Sequence, residues 1–519
     1  MARFVRWTAL TAAAALLVTG VTGCSGGSSD GGEGGGETSG TGPSSASSVG
    51  PTTPLPTSLT AQKLDWGRCK GTADSPEPGG AWQCATLKAP LDWTKPESRT
   101  IDLALIRAEA TGGDRIGSLL FNFGGPGGSG VSTLPWYASS TAELGKRYDL
   151  VSWDPRGVGA SQGVRCRSDQ QIEAAESVDS TPDTPAEERA YFRDAAAFGK
   201  GCQKSAGTLM AHVSTTDTAR DMDLMRQVLG DPRMQYFGVS YGTELGGVYA
   251  HLFPKTVGRL VLDAVVDPSA DSAGHAENQI RGFQRALDNY LESTGEDAKD
   301  GTRKIVDLLR RIDAEPLSTS SGRKLTETLA LTGLLYPLYS ETSWPRLTSA
   351  LEAAGQGDGT ELLALADEYN DRDASGHYLT GSHSQRVISC LDEKQRPTIE
   401  ETKKLLPRFK KISPVFGPML GWDTAGWCHD WPVAGQYDTP EVSAPGAAPI
   451  LLVGNTGDPA TPYEGTRRMA DELGRDVGVT TTWNGEGHGA YGKGSSCVDS
   501  TVNAYLLQGS VPKDGKVCS

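Results

Sequence analysis

Gln235-Tyr236-Phe237-Gly238-Val239-Ser240-Tyr241-Gly242 is the stretch on which the fold turns. It opens as a strand-like run, and the residues from about 242 to 252 continue with helical character. Between the two lies G-x-S-x-G, from Gly238 to Gly242. The spacing has a mechanical reason. A serine on a sharp strand-to-helix turn projects its hydroxyl away from the backbone, and glycines two before and two after relieve the crowding there. The pentapeptide alone is weak evidence. A strand before it and a helix after it are the context the motif requires.

The pattern outward from this turn alternates strands and helices. Upstream, residues 215–229 read as a helix with Ala219, Met222, Met225, Val228 and Leu229 on one side and Gly230 as its stop. Strand-like runs lie at 84–91, 100–108, 118–123 and 148–153. In the second of these Ile101, Leu103 and Leu105 alternate with other residues. Downstream, 260–266 is another. Such alternation predicts an α/β fold, a mostly parallel sheet covered by helices on both faces. From 269 to 440 the strand signal fades, and segments 279–292, 303–312, 325–338 and 361–369 look helical. Alternation returns after about 446, with a strand at 449–453, a helix at 463–473 and a strand at 479–483. The expected organisation is an α/β core in two parts, 61–268 and 441–519, interrupted by a helical cap or lid insertion at 269–440. No internal repeat is visible.

A serine hydroxyl is a poor nucleophile unless a base removes its proton. On this architecture the partners follow the serine in the order acid, then histidine. Of seven histidines, His212 precedes the serine and His251 lies on the helix just after it. His275, His377, His383 and His429 fall in or beside the insertion. His488 alone lies in the final strand-loop region, inside Gly485-Glu486-Gly487-His488-Gly489, where flanking glycines suit a loop that presents the ring. The acid belongs on the loop after the 449–453 strand. Asp458 sits there, stiffened by Pro459 and Pro462. Glu464 starts the next helix, and Glu486 is too close to His488 in sequence to face its ring easily. The candidate catalytic set is therefore Ser240, Asp458 and His488.

Phe123-Gly124-Gly125-Pro126-Gly127-Gly128 follows the 118–123 strand. Glycines let backbone N–H groups approach a developing oxyanion. The N–H groups of Gly125 and Tyr241 are the expected donors. A phosphate-binding loop is the rival reading, but no G-K-[ST] and no G-x-G-x-x-G with an acidic residue about 20 positions on is present.

Together, Gly124 to Gly128, the segment Asp154-Pro155-Arg156-Gly157-Val158-Gly159-Ala160-Ser161, and Gly238 to Gly242 resemble the proline iminopeptidase family of α/β-hydrolases. Within it the chain is most similar to the actinobacterial tripeptidyl aminopeptidases and related mycelium-associated lipoproteins. The resemblance covers roughly residues 61–519 and includes the Asn455 loop, His488, Cys390-Leu391-Asp392 and the N-terminal leader. It implies an α/β-hydrolase fold with a helical cap and cleavage of short peptides from free N-termini through an acyl-enzyme. It carries the triad onto Ser240, Asp458 and His488. Phe123 departs from the pattern, since many relatives have histidine there. An exopeptidase must read a free amine, and a carboxylate in the insertion would do so by a charge-assisted hydrogen bond. Asp392 and Glu393, beside Cys390, are the candidates.

The N-terminus reads as an export signal. Arg3 and Arg6 precede a short apolar run at residues 8–18, too short for a span of about 20 residues. Val21-Thr22-Gly23-Cys24 resembles a bacterial lipobox, with residues 1–23 as the signal and Cys24 as the lipidated residue. Residues 24–60, rich in Gly, Ser, Thr and Pro, are expected to be a disordered tether. The predicted location is the outer face of the cell membrane, with release from the cell as a second route. Eight cysteines remain. An even number in an exported chain suggests disulfides, and nearest-neighbour pairing gives Cys69–Cys84, Cys166–Cys202, Cys390–Cys428 and Cys497–Cys518. No zinc-type ligand spacing occurs, so neither metal nor cofactor is expected. A formal charge of -15 makes nucleic acid a poor partner, because phosphate contacts need clustered Lys and Arg. The expected partners are peptides and, through Cys24, a membrane. An esterase or lipase on the same triad is the main alternative. A non-catalytic lipoprotein and an endoprotease are the others.

Overall fold

The computed structural model describes residues 55–72 and 75–519. The predicted signal at 1–23, Cys24 and the tether up to residue 54 lie outside the described residues. The expected tether boundary at 60 does not hold. Leu59, in the short helix Thr57–Thr60, is buried in the core, because an apolar side chain at this point gains more from packing than from solvent.

Twelve strands are present among the described residues: β1 (Gly67–Arg68), β2 (Gln83–Pro90), β3 (Thr100–Ala108), β4 (Gly117–Asn122), β5 (Tyr148–Trp153), β6 (Met234–Val239), β7 (Val257–Asp263), β8 (Leu317–Ser318), β9 (Lys324–Leu325), β10 (Ile450–Gly457), β11 (Gly478–Glu486) and β12 (Lys516–Cys518). Ten form one sheet in the order β1-β2-β3-β5-β4-β6-β7-β10-β11-β12. β1, β2, β3 and β5 pair antiparallel in turn, and every pairing from β5 through β12 is parallel.

The two-residue period of a strand sorts the core. Leu120, Val151, Tyr236, Leu262 and Leu452 join the cluster on one face, while Leu119, Leu150, Phe237, Val261 and Leu451 join the cluster on the other. β4 and β5 are buried at every position, as strands covered on both faces must be. The predicted strand at 260–266 stops earlier, at Asp263. Ala264 takes a left-handed φ of 59°, which turns the chain off the sheet.

Between β7 and β10 the chain is mostly helical, with helices at Ser272–Ser293, Ala298–Ala314, Glu327–Leu335, Trp344–Gly355, Thr360–Tyr369, Gly381–Asp392, Ile399–Ile412 and Gly417–Gly426. Many of their apolar faces form a separate core around Phe283, Leu309, Leu334, Leu363 and Phe416. The predicted helix at 325–338 ends at Leu335 and tightens into a 3-10 turn, Tyr336–Tyr339, where Pro337 supplies no N–H. Four disulfides join Cys69 to Cys84, Cys166 to Cys202, Cys390 to Cys428 and Cys497 to Cys518, the nearest-neighbour pairs. Among the described residues no helix is long and apolar enough to cross a membrane.

Candidate active site

The loops that leave β4, β6, β7, β10 and β11 emerge at the carboxyl edge of the parallel sheet, where open α/β sheets gather their functional groups. Ser240 occupies the turn between β6 and the helix Tyr241–Leu252 with φ 59° and ψ -126°. That conformation is strained for a residue with a Cβ, and it is the price of a serine exposed at the tip. Gly238 is forced by close approach, since a Cβ there would lie 2.3 Å from the Gly242 carbonyl oxygen. The elbow is held to β7 by the Ser240 N–H, which donates to the Asp263 carbonyl at 3.0 Å.

Asp458 follows β10 and is fully buried. His488 Nδ1 lies 2.9 and 3.0 Å from its two carboxylate oxygens. The remaining capacity of the carboxylate is filled by backbone N–H groups: Ala460 and Thr461 donate to Oδ1 at 3.0 and 2.9 Å, and Gly489 donates to Oδ2 at 3.2 Å. Thr461 Oγ1 also lies 3.4 Å from Nδ1. With Nδ1–H donating to Asp458, Nε2 is left as the basic nitrogen. Burial alone pushes the imidazole pKa down. The Asp458 charge and hydrogen bond outweigh it and hold His488 above its ordinary value. Neither rival acid meets the ring: Glu486 accepts from Asn289 at 2.9 Å, and Glu464 lies 3.7 Å from Arg285.

The glycine loop after β4 lies against the elbow. A Cβ on Gly124 would fall 2.6 Å from the Val239 carbonyl oxygen and 2.9 Å from Ser240 Cβ, so only glycine permits this approach. Tyr241 N–H is the first of its helix and has no intrahelical acceptor. Gln385, on the insertion helix Gly381–Asp392, donates to the Gly125 carbonyl at 3.1 Å. Of the predicted oxyanion donors, Tyr241 directly follows Ser240, and Gly125 follows the glycine that packs against the turn.

The same insertion helix ends at Asp392. This carboxylate is buried and accepts from Thr215 twice, from the N–H at 3.0 Å and from Oγ1 at 2.7 Å. Thr215 Oγ1 also bonds the Tyr241 hydroxyl. Asp392, predicted as an amine ligand, therefore has both oxygens engaged, and it fastens the insertion to the first turn of the helix Thr215–Leu229. Glu393 beside it is half-buried. Glu244, one turn after Ser240, was not anticipated. It is half-buried, and Tyr437 donates to it at 3.3 Å. Burial, with the Asp392 charge adding to it, pushes Glu244 up to about 8. Burial pushes Asp392 and Glu393 up to about 7. In each of the three the largest cause is burial, which disfavours the charged form.

Sequence reasoning also missed Tyr339 and Asp263. The Tyr339 carbonyl accepts the His488 N–H at 2.8 Å, and its ring stands edge-on to the imidazole with centroids 5.4 Å apart. Nothing local marked Tyr339. For Asp263 the signal was an acidic residue inside an apolar strand run. The described residues hold no group of His, Cys, Asp and Glu arranged for a metal.

A parallel sheet of this order, with a serine on the strand-to-helix elbow and an Asp–His pair on the later loops, defines the α/β-hydrolase class. Residues 413–518 match the family described as TAP-like protein. The chain is 34% identical over 492 residues to serine protease Hip1 of Mycobacterium tuberculosis, covering 88% of this chain and 91% of that protein. It is 34% identical over 481 residues to carboxylesterase B of the same species, covering 89% and 91%. It is 29% identical over 476 residues to the tripeptidyl aminopeptidase of Streptomyces coelicolor, covering 88% and 86%. The chain belongs to this TAP-like family of α/β-hydrolases.

Proposed function

We propose that the chain is an exported serine exopeptidase that releases short peptides, tripeptides foremost, from free N-termini. The observation that carries this reading is the buried Asp458 carboxylate on His488 Nδ1, which leaves Nε2 as a base on the same sheet edge as Ser240. Ser240 Oγ attacks the scissile carbonyl as His488 Nε2 takes its proton. The oxyanion is stabilised by the N–H groups of Gly125 and Tyr241. Collapse breaks the C–N bond, and His488 returns the proton to the leaving amine. Water then attacks the acyl-enzyme by the same route and regenerates the serine.

The amine of the substrate is recognised by Glu244 and Glu393, the half-buried carboxylates, with Asp392 holding the insertion in place beneath them. An ammonium in this site relieves the mutual repulsion of acidic groups. Relatives named serine protease and tripeptidyl aminopeptidase support peptide bonds as the target. In the same reading the protein is anchored by a lipid on Cys24 at the outer face of the membrane, and residues 61–268 and 441–519 form a core closed by the 269–440 insertion. The relative named carboxylesterase B favours a second reading, ester hydrolysis at the same serine.

The test is a panel of peptidyl anilides with free and acetylated N-termini beside short acyl esters, with products sized by mass spectrometry. The expected result is release of three-residue products from free amines only. Hydrolysis of esters with no anilide turnover would replace this reading with the second.

A further inference from the structure

Asp263, the last residue of β7, is 2% exposed and touches both moving parts of the proposed chemistry. Its main-chain carbonyl accepts the Ser240 N–H at 3.0 Å. Its carboxylate accepts from the loop that carries His488: Oδ1 takes the Ala490 N–H at 3.0 Å, and Oδ2 takes the Ala490 and Tyr491 N–H groups at 3.1 and 2.9 Å. The strand itself is locked on both sides, because Asp263 pairs in register with Val239 of β6 and Val453 of β10. One residue thus ties together the elbow, the histidine loop and the strand that leads to Asp458.

We propose that Asp263 is a positioning residue that joins the Ser240 turn to the His488 loop as one unit, and that its carboxylate supports the imidazolium formed when His488 takes the serine proton. The proposal rests on the reading of Ser240, Asp458 and His488 as the triad. Packing alone would not call for a charge here, because a buried carboxylate is costly unless hydrogen bonds and a cation compensate it. The main-chain N–H groups of Ala490 and Tyr491 supply the hydrogen bonds. The cation is supplied only transiently, by His488 itself.

The groups facing His488 from each packed element are Asp458 from the β10 loop, Asp263 from β7, Lys493 from its own loop and the Tyr339 ring from the insertion. Burial and the Lys493 charge disfavour the imidazolium, while Asp458 and then Asp263 favour it. Burial and the Asp458 charge push the Asp263 carboxyl up, while the hydrogen bonds from the Tyr491 and Ala490 N–H groups and the charge of His488 act the other way. The Asp263 charge therefore raises the basicity of His488 without touching its ring nitrogens.

The experiment compares Asp263→Asn with wild type in kcat and KM on a free-amine peptidyl anilide from about pH 5 to 9. Fluorophosphonate labelling counts the competent serine in each sample. The expected result is a fall in kcat per labelled site of about tenfold or more with KM within about twofold. The acidic limb of kcat/KM should also move to lower pH as His488 loses a neighbouring negative charge. Wild-type kcat with an unmoved limb overturns the proposal, as does a loss of activity fully explained by fewer labelled sites. Amide hydrogen exchange in the unmodified enzyme gives a second reading that needs no variant. Ser240, Ala490 and Tyr491 are expected to open together, and free exchange at Ala490 and Tyr491 beside a protected Ser240 overturns the proposal. Ser240→Ala separates the two levels. Activity surviving that change sinks the triad reading, whereas a dead Ser240→Ala beside a normal Asp263→Asn sinks only the clamp.

Discussion

In the α/β core, Ser240 and Asp458 stand where parallel strands end, and main-chain hydrogen bonds fix the turns that carry them and His488. In the insertion, Asp392 and Glu393 stand at the end of a helix held by the Cys390–Cys428 disulfide and by side-chain contacts to Thr215 and Tyr437. The core has a sheet with a cluster on each face, and the insertion has a hydrophobic centre of its own. The lesson is a division of labour. Main-chain hydrogen bonds at a sheet edge hold the turns that carry Ser240, Asp458 and His488. The helices between β7 and β10 pack largely around an apolar cluster of their own. The division is incomplete at many contacts, among them Tyr339 on the His488 N–H, Gln385 on the Gly125 carbonyl, and Asp392 through Thr215 to Tyr241. Through these the insertion forms part of the wall of the site.

The comparison breaks most visibly in the core. Ser240→Ala is expected to lower kcat by about 10^6-fold and to abolish fluorophosphonate labelling while leaving thermal unfolding unchanged. Loss of labelling with retained peptidase activity would move the nucleophile elsewhere. Insertion-side changes should act on binding. Glu244→Gln, on the core helix but facing Asp392, is expected to raise KM about tenfold for free-amine peptides and to leave acetylated esters unaffected. Equal effects on both substrates would remove amine reading from this cluster.

The smallest effect sharpens the electrostatic half of the comparison. The Glu244 carboxyl is raised to about 8 in the folded chain. Between the ordinary carboxyl range and that value the folded state keeps a proton that the unfolded state releases. Stability therefore falls as pH rises through this window. Glu244→Gln removes the titration, so its melting temperature should exceed that of wild type near pH 8.5 by more than it does near pH 5, about a few degrees. Identical differences at both pH values would mean that the carboxylate is solvated.

Much of the core was legible because its signals are local. Residues 148–153 and 215–229 carry strand and helix periodicity over their whole lengths, and they form Tyr148–Trp153 and Thr215–Leu229. G-x-S-x-G is readable because crowding at the elbow acts on adjacent residues. The helix Gly381–Asp392 escaped notice because its short apolar pattern matters only against the Gly125 loop and Thr215, segments distant in sequence. Asp392 illustrates the limit. Its charge and its nearness to Cys390 suggested a substrate contact, and only the folded chain shows that each of its oxygens also accepts from Thr215.

The sequence by itself determined the alternation that builds the sheet and the serine turn, and it singled out Asp458 and His488 as candidates by their place after Ser240. These follow from periodicity, chain order and short-range sterics. Tertiary structure alone decided that Asp263 bridges the elbow and the histidine loop, that Tyr339 braces His488, and that Glu244 faces Asp392. Each of these joins residues far apart in the chain, and such contacts exist only once burial has driven separate segments against one another.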